Sequence, residues 1–452
     1  MSSRKLFGTD GVRGKANVFP MDSETVLKLG RAAAHVLRRS EGRHRILIGK
    51  DTRISGYMLE QALASGICSM GVDVILCGPL PTPGVAYLTK SMRVDAGVMI
   101  SASHNSYEDN GIKFFGPDGF KLPDTTETEI ERLLEPGHLD ELRADPDLIG
   151  KATRIEDAVG RYLVYLRSAL ERELDFDGLK IVIDTANGAA YRVAPQLLRE
   201  LGAEVITLGD RPDGKNINLN CGSLHPEALS EAVIEHGADC GFALDGDADR
   251  VVFVDEKGDL LDGDSILAML GTSLNKRGLL RGGGIVATTM SNFGLESYLN
   301  SQGLNLYRSD VGDRYVLLEM LKRGINLGGE QSGHVISLDN NTTGDGTLTA
   351  LLVISAMLSS KKPLSFVQSL ITRYPQRLES FLVSSKPPLE SLASVKKVLQ
   401  ASEAKLNGKG RVLLRYSGTE NKVRVMVECE ELKLCNQITS DLVGAIKGEI
   451  GA

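Results

Sequence analysis

The sequence predicts an α/β protein built from three similar mixed-sheet α/β domains followed by a C-terminal α+β domain. Two patterns carry that expectation. A helical stretch that ends at a glycine and runs into a short β-rich segment recurs at "SMGVDVILCG" (69–78), "ELGAEVITLG" (200–209) and "SQGLNLYRSD" (301–310). The glycine fits the position after a helix, where positive φ is costly for other residues. The end of the chain breaks this rhythm and reads as strands grouped together, with helices on either side.

Each cassette lies among further apolar runs of strand length. "RILIG" (45–49) and "AGVMIS" (96–101) flank the first, "KIVID" (180–184) and "GFALD" (241–245) the second, and "GGIVATT" (283–289) and "GINLGG" (324–329) the third. Strands alternating with helical patterns imply βαβ units and mostly parallel pairing. Three widely spaced copies suggest repeated domains, not a short-period solenoid. At the C-terminus, "RLESFLVS" (377–384), "GRVLLRYS" (410–417) and "VRVMVECE" (423–430) read as antiparallel strands, with helices near 388–406 and 431–449. The acidic stretch 123–150 reads as a helix and connector. A chain of 452 residues exceeds one ordinary core. The expected domains are 1–155, 156–255, 256–370 and 371–452.

Composition narrows the function classes. A formal net charge of -7 argues against a general nucleic-acid surface, although a local basic pocket can still bind an anion. The six cysteines show no CxxC spacing, which disfavours a zinc site or redox pair and suits reduced thiols. No run of 18 apolar residues and no cleavable leader is visible, so the expectation is a cytoplasmic protein without membrane contact. Walker A and GxGxxG motifs are both missing from the sequence, which leaves ATP and NAD sites without support.

Four loops carry the chemistry. In "LDGDADRVVFVD" (244–255), Asp245, Asp247 and Asp249 alternate with small residues on a tight turn. Three carboxylates converging on one point repel unless a cation sits between them, and hard oxygen ligands suit Mg²⁺. The stretch also begins like an EF-hand, with Glu256 at position twelve. Arg250 occupies the glycine position, however, and Val251, Val252 and Phe253 read as a strand. "SASHNS" (101–106) places Ser103 beside His104 after a strand, without the elbow of a serine hydrolase. Turn hydrogen bonding is its plain alternative, but a phosphoryl group on Ser103 would be a strong ligand for a cation on the aspartate loop.

"LRYSGTENKVRV" (414–425) sets Arg415, Ser417, Thr419 and Arg424 around Gly418, a combination of hydroxyls, backbone donors and guanidinium forks suited to phosphate. "GGEQSGH" (328–334) offers Glu330, Ser332 and His334 on a glycine-flanked loop, suited to sugar hydroxyls or an amine. "FGTDGVRG" (7–14) and "NGIKFF" (110–115) add Arg13 and Lys113.

Taken together and in this order, "FGTDGVRG", "SASHNSYEDNGIKFFGPDGFKL", "CGSLHPE", "LDGDADR", "GGEQSGH" and "RYSGTENKVRVMVE" resemble the α-D-phosphohexomutase superfamily from residue 6 to residue 428. The resemblance implies a heart-shaped protein with one loop per domain meeting at a central cleft. It implies Ser103 as an active-site phosphoserine, and one Mg²⁺ per site held by Asp245, Asp247, Asp249 and the phosphate on Ser103. Glu330, Ser332 and Arg250 then bind the sugar, and Arg415, Ser417, Gly418, Thr419 and Arg424 bind its phosphate.

Gln331 in "GEQSGH" is similar to the glucosamine branch of the family. The implied reaction interconverts glucosamine 6-phosphate and glucosamine 1-phosphate through glucosamine 1,6-bisphosphate, with that compound or glucose 1,6-bisphosphate as activator. A glucose or mannose phosphate mutase and a non-catalytic phosphosugar-binding protein are the alternatives. The resemblance also implies a homodimer through the first domain. His104, Lys113 and His334 stand as candidate general bases, with Arg13 assisting electrostatically. Ser106, Tyr416 and Asn421 occupy positions where the family often has proline. Proline restricts φ, so these loops are expected to be more mobile.

Overall fold

The structure is a computed structural model that describes residues 6–8, 10–38, 42–139, 142–172, 174–417 and 421–451. The chain divides into two compact units, Met1–Met290 with Tyr307–Gln368, and Ser291–Leu306 with Ser369–Ala452.

The first sheet has seven strands, in the order Phe7–Gly8, Gly11–Lys15, Asp109–Phe115, Ala96–Ile100, His44–Lys50, Val72–Pro79 and Ala152–Arg154. The last four run parallel, Asp109–Phe115 is antiparallel to Ala96–Ile100, and Gly11–Lys15 is antiparallel to Asp109–Phe115 in turn. The second sheet orders Leu260–Leu261, Val251–Asp255, Cys240–Leu244, Lys180–Asp184 and Glu204–Leu208, and Val251–Asp255 is antiparallel to its neighbour Cys240–Leu244. The third orders Asn305–Ser309, Gly284–Thr288, Leu327–Gly329 and Val335–Ser337, with the last strand again reversed. Each sheet is therefore mixed in the same way: a buried parallel strand is followed by a loop and an antiparallel partner. Those three loops, 101–108, 245–250 and 330–334, are the ones that carry the chemistry-bearing motifs.

The three cassette glycines adopt the left-handed conformation: Gly71 at φ 78°, Gly202 at 97° and Gly303 at 71°. Each precedes the strand expected of it. The second compact unit holds three antiparallel strands in the order Gln376–Leu382, Lys422–Cys429 and Gly410–Tyr416. Val425, Val427, Ile438, Leu442 and Ile446 join its sheet and the helix Leu432–Ile450 into one core. Among the described residues, no helix is long and apolar enough to cross a membrane.

Two helices beside the first sheet, Ser23–Leu37 and Ser55–Cys68, approach closely through glycines. A Cβ on Gly66 would lie 2.2 Å from the Leu27 carbonyl oxygen, and one on Gly30 would lie 2.6 Å from that of Leu63. Gly66→Ala is expected to destabilise the protein by about 2 kcal/mol, because overpacking outweighs the helix propensity gained. Gly160→Ala, in the helix Ala158–Ser168 with nothing within 4 Å of the added atom, should instead gain a few tenths. Urea midpoints of the two variants check the contrast. Equal midpoints would remove the glycine-mediated helix contact.

Candidate active site

The strand Ala96–Ile100 is buried along its length and delivers Ser103 at its carboxyl end. Ser103 is 2% exposed and sits at φ 53°, in the left-handed region. Its Oγ donates a hydrogen bond to Asp245 Oδ2 at 2.5 Å and lies 3.3 Å from His104 Nδ1. The two loops meet because Gly246 has no side chain: a Cβ there would sit 2.5 Å from the Ser103 carbonyl oxygen.

The aspartate loop joins Cys240–Leu244 to Val251–Asp255, as the alternation of small and acidic residues before a β-branched run suggests. Asp245, Asp247 and Asp249 are all buried, and each brings an oxygen within 4.8 Å of the others'. Asp247 Oδ1 and Asp249 Oδ1 are buried without a hydrogen-bond partner. Burial raises the Asp245 pKa well above the usual carboxylate range, and the charges of Asp249 and Asp247 push it further. Three convergent carboxylates with two unused oxygens fit a hard divalent cation, which would satisfy those oxygens and relieve the repulsion.

Around this triad runs a closed ring of acidic and basic side chains. Lys113 Nζ lies 2.9 Å from Asp247 Oδ2, 3.6 Å from Asp249 Oδ2 and 3.0 Å from Asp10 Oδ2. Lys121 pairs with Asp10 and with Asp313. Asp313 lies 3.7 Å from His334 Nε2, and His334 Nδ1 lies 3.7 Å from Asp249 Oδ1. Arg13 pairs with Asp10.

Burial opposes the charge on Lys113, but Asp10, Asp247 and Asp249 outweigh it and raise the pKa. Burial likewise opposes charge on Asp249, yet Lys113, His334 and Arg250 hold its carboxyl well below the usual range. Burial lowers His334, while Asp249, Asp313 and Glu330 raise it, and the balance is upward. The Gly344 N–H donates to His334 Nε2 at 3.1 Å, which assigns the proton to Nδ1, facing Asp249. At His104 burial lowers the pKa, and Arg250 and Arg13 add to the effect.

Ser103, Arg13, Asp249, Arg250, Glu330 and His334 line one cavity of about 410 Å³, a size suited to a small phosphorylated ligand. Glu330 Oε1 accepts the Gly312 N–H at 3.0 Å, and its Oε2 accepts the Ser332 hydroxyl at 3.3 Å. Gln331 turns elsewhere: its Nε2 donates to Asp262, the N-cap of the helix Gly263–Lys276. Ser106 donates its hydroxyl to Glu108, and its carbonyl accepts from Arg53.

In the second compact unit, Arg415 and Arg424 stand directly opposite each other on paired strands. Like charges in that register are destabilising by themselves. Ser417 is buried beside them, its carbonyl accepting from Lys386 Nζ at 2.8 Å. The Tyr416 hydroxyl donates to the Pro387 carbonyl, and the Asn421 carbonyl accepts the Val383 N–H. Gly418 and Thr419 lie outside the described residues.

Of the residues singled out from sequence, Arg13, Ser103, His104, Lys113, Asp245, Asp247, Asp249, Arg250, Glu330, Ser332 and His334 come together in one unit. Sequence reading missed Asp10, Lys121 and Asp313, which close the ring. Asp10 and Lys121 had a signal, since they lie in "FGTDGVRG" and "SASHNSYEDNGIKFFGPDGFKL"; Asp313 is a single charge outside the quoted motifs.

Comparison with known proteins accounts for the arrangement. Models of the phosphoglucomutase/phosphomannomutase family match in succession: alpha/beta/alpha domain I over residues 4–139, domain II over 161–258, domain III over 262–374, and the C-terminal domain over 380–445. The phosphoglucosamine mutase of Syntrophotalea carbinolica is 54% identical over 449 residues, covering 99% of this chain and 98% of its own. That of Citrifermentans bemidjiense is 57% identical over 425 residues, covering 94% of each. Among solved structures, a phosphoglucomutase/phosphomannomutase family protein from Burkholderia thailandensis has the same fold, with a TM-score of 0.80, 22% identity and 97% of each chain covered. With four domain models end to end and relatives more than half identical along nearly the whole length, the chain belongs to the phosphoglucosamine mutases of the phosphoglucomutase/phosphomannomutase family.

Proposed function

We propose that this enzyme interconverts glucosamine 6-phosphate and glucosamine 1-phosphate by passing a phosphoryl group through Ser103. The observation that carries the reading is the Ser103 hydroxyl, 2.5 Å from Asp245 and opening on a cavity shared with Arg13, Arg250 and Glu330. Phospho-Ser103 gives its phosphoryl to O1 of the 6-phosphate: the P–Oγ bond breaks, a P–O1 bond forms, and glucosamine 1,6-bisphosphate results. Turned over in the cleft, the bisphosphate returns the O6 phosphoryl to Ser103. Asp245, Asp247 and Asp249 would hold Mg²⁺, which when bound would supply positive charge to the transferring phosphoryl oxygens.

The protein's own groups do the rest. Lys113 stays protonated and acts as a fixed positive charge, with no lone pair to accept a proton. His104, with its pKa lowered, is neutral near pH 7 and lies close enough to Ser103 Oγ to carry a proton between sugar hydroxyl and serine. His334 is occupied by Gly344 and Asp249 and serves to orient the aspartate loop. Glu330 receives the sugar's amine, and in the second unit Arg415, Arg424 and Ser417 offer a phosphate-binding set. Glucosamine 1,6-bisphosphate or glucose 1,6-bisphosphate restores the phosphate on Ser103 when it is lost.

If His104 is the base, kcat/KM rises with pH as His104 deprotonates and is flat above. The rise is centred below the ordinary histidine value, because the pKa is lowered. His104→Gln should remove that limb and lower kcat by about 10²-fold or more. A limb that persists unchanged would reassign the base.

Substrate choice is tested by kcat/KM of the phospho-Ser103 enzyme with Mg²⁺ on glucosamine, glucose and mannose 6-phosphates. A charge-assisted contact of the amine with Glu330 should favour the amino sugar by about 10- to 100-fold. A flat profile or a preference for glucose would keep the phosphoryl chemistry and remove the glucosamine assignment.

A further inference from the structure

Arg53 is fully buried, and it is the largest such side chain among the described residues. A guanidinium out of water is tolerated only when its donors are used. Nε donates to Asp51 Oδ2 at 2.8 Å, and the other nitrogens turn to one short loop. Nη2 donates to the carbonyls of Ser103 at 2.9 Å and Asn105 at 2.8 Å, and Nη1 donates to those of Ser106 and of Asp109, the latter at 3.2 Å. One side chain thus gathers three carbonyls of the loop that carries Ser103 and the first carbonyl of the strand that follows it. Asp51 also accepts the Ser101 hydroxyl at 2.6 Å, and Ser101 Oγ in turn accepts the Ser103 N–H at 2.9 Å.

A second donor reaches the same oxygens from the loop after the strand Glu204–Leu208. Asn218 Nδ2 donates to the carbonyls of Ser103 at 2.9 Å and Asn105 at 3.0 Å. Both backbone groups of Ser103 are therefore fixed, at a residue held in the left-handed region at φ 53°. Such a conformation persists only where the surroundings over-determine it. Neither Arg53 nor Asn218 lines the cavity or bonds to Ser103 Oγ.

We propose that Arg53 and Asn218 are positioning residues for phosphoryl transfer, clamping the backbone of the Ser103 loop so that Oγ is aimed at the aspartate loop. The inference rests on the reading of Ser103 as the phosphoryl carrier. Displacing the reacting oxygen by about 1 Å costs on the order of 10²-fold in rate, whereas the groups that bind the sugar phosphate lie on other loops. The clamp therefore acts on kcat and leaves KM alone.

The test uses the full-length enzyme as Arg53→Lys, Arg53→Ala and Asn218→Gly. Glycine is chosen because Asn218 itself sits at φ 58°, so the backbone is kept while the amide is removed. At equal phospho-Ser103 occupancy, read by intact-mass spectrometry, kcat should fall about 10- to 100-fold, with KM for glucosamine 6-phosphate held within about twofold. Added guanidinium chloride at millimolar concentration should restore part of the kcat of Arg53→Ala, and sodium chloride should not. Wild-type kcat in Asn218→Gly overturns the proposal, even if the Arg53 variants fail to fold. So does a loss that resides in KM. A Ser103→Ala enzyme that still turns over removes the underlying reading instead, so the two failures stay distinct.

Discussion

Ser103→Ala is expected to lower kcat by about 10⁴-fold or more, the scale lost when a covalent carrier is removed. Alanine tolerates φ 53° no worse than serine, so the backbone of the loop should survive. The hydrogen bond to Asp245 Oδ2 is lost, which leaves one more carboxylate oxygen for the cation and costs little stability. The protein should therefore fold, bind glucosamine 6-phosphate with an unchanged Kd by calorimetry, and take up no label from bisphosphate carrying a radioactive phosphoryl group. Activity within about tenfold of the parent enzyme would sink the phosphoserine mechanism outright.

The second large effect is expected at Lys113. Its ammonium is buried and is shared among Asp10, Asp247 and Asp249. Lys113→Met keeps the volume and removes the charge, leaving three carboxylates facing one another. Breaking a buried ion pair from one side costs about 3–5 kcal/mol. Millimolar Mg²⁺ should recover part of this, because a cation on Asp247 and Asp249 replaces the missing charge. The variant's Tm should accordingly rise far more with Mg²⁺ than the parent's, while kcat stays down by about 10²-fold or more for want of a fixed positive charge. A Tm within about 2 °C of the parent and an identical Mg²⁺ response would show that the ring is not held together by this lysine.

What the sequence discloses follows from what the chemistry and the backbone demand locally. Asp245, Asp247 and Asp249 are legible because a cation needs several oxygens close together, and the three lie within one tight turn. The cassette glycines are legible because positive φ selects glycine. The ring is not: Lys121 lies near the end of a quoted motif and Asp313 lies outside all of them, and neither has its ring partner near it in sequence until the fold brings "GFKL" and "VGDR" together. Arg53 and Asn218 are hidden for the same reason, since both act on backbone carbonyls, which leave no mark on the sequence they serve. The reversed strand Asp109–Phe115 escapes a reading built on parallel cassettes because it starts with polar residues directly after a site motif. Gln331 is legible by resemblance alone. Its identity points to the amino-sugar branch, which the relatives share, while its side chain anchors the loop by donating to the N-cap Asp262.

The hydrogen bonds that pin Ser103 also set an order of events during synthesis. Its carbonyl partner Asn218 lies 115 residues downstream and its hydroxyl partner Asp245 lies 142 downstream. At ribosomal speed those segments emerge on the order of ten seconds after the serine. The first sheet can complete its parallel strands in that interval, but the loop after its central strand Ala96–Ile100 still lacks the contacts that aim it. A nascent or truncated chain ending before Asp249 thus carries the nucleophile without a competent site. Long-range contacts of this kind slow folding, so the site is among the last parts of this unit to form.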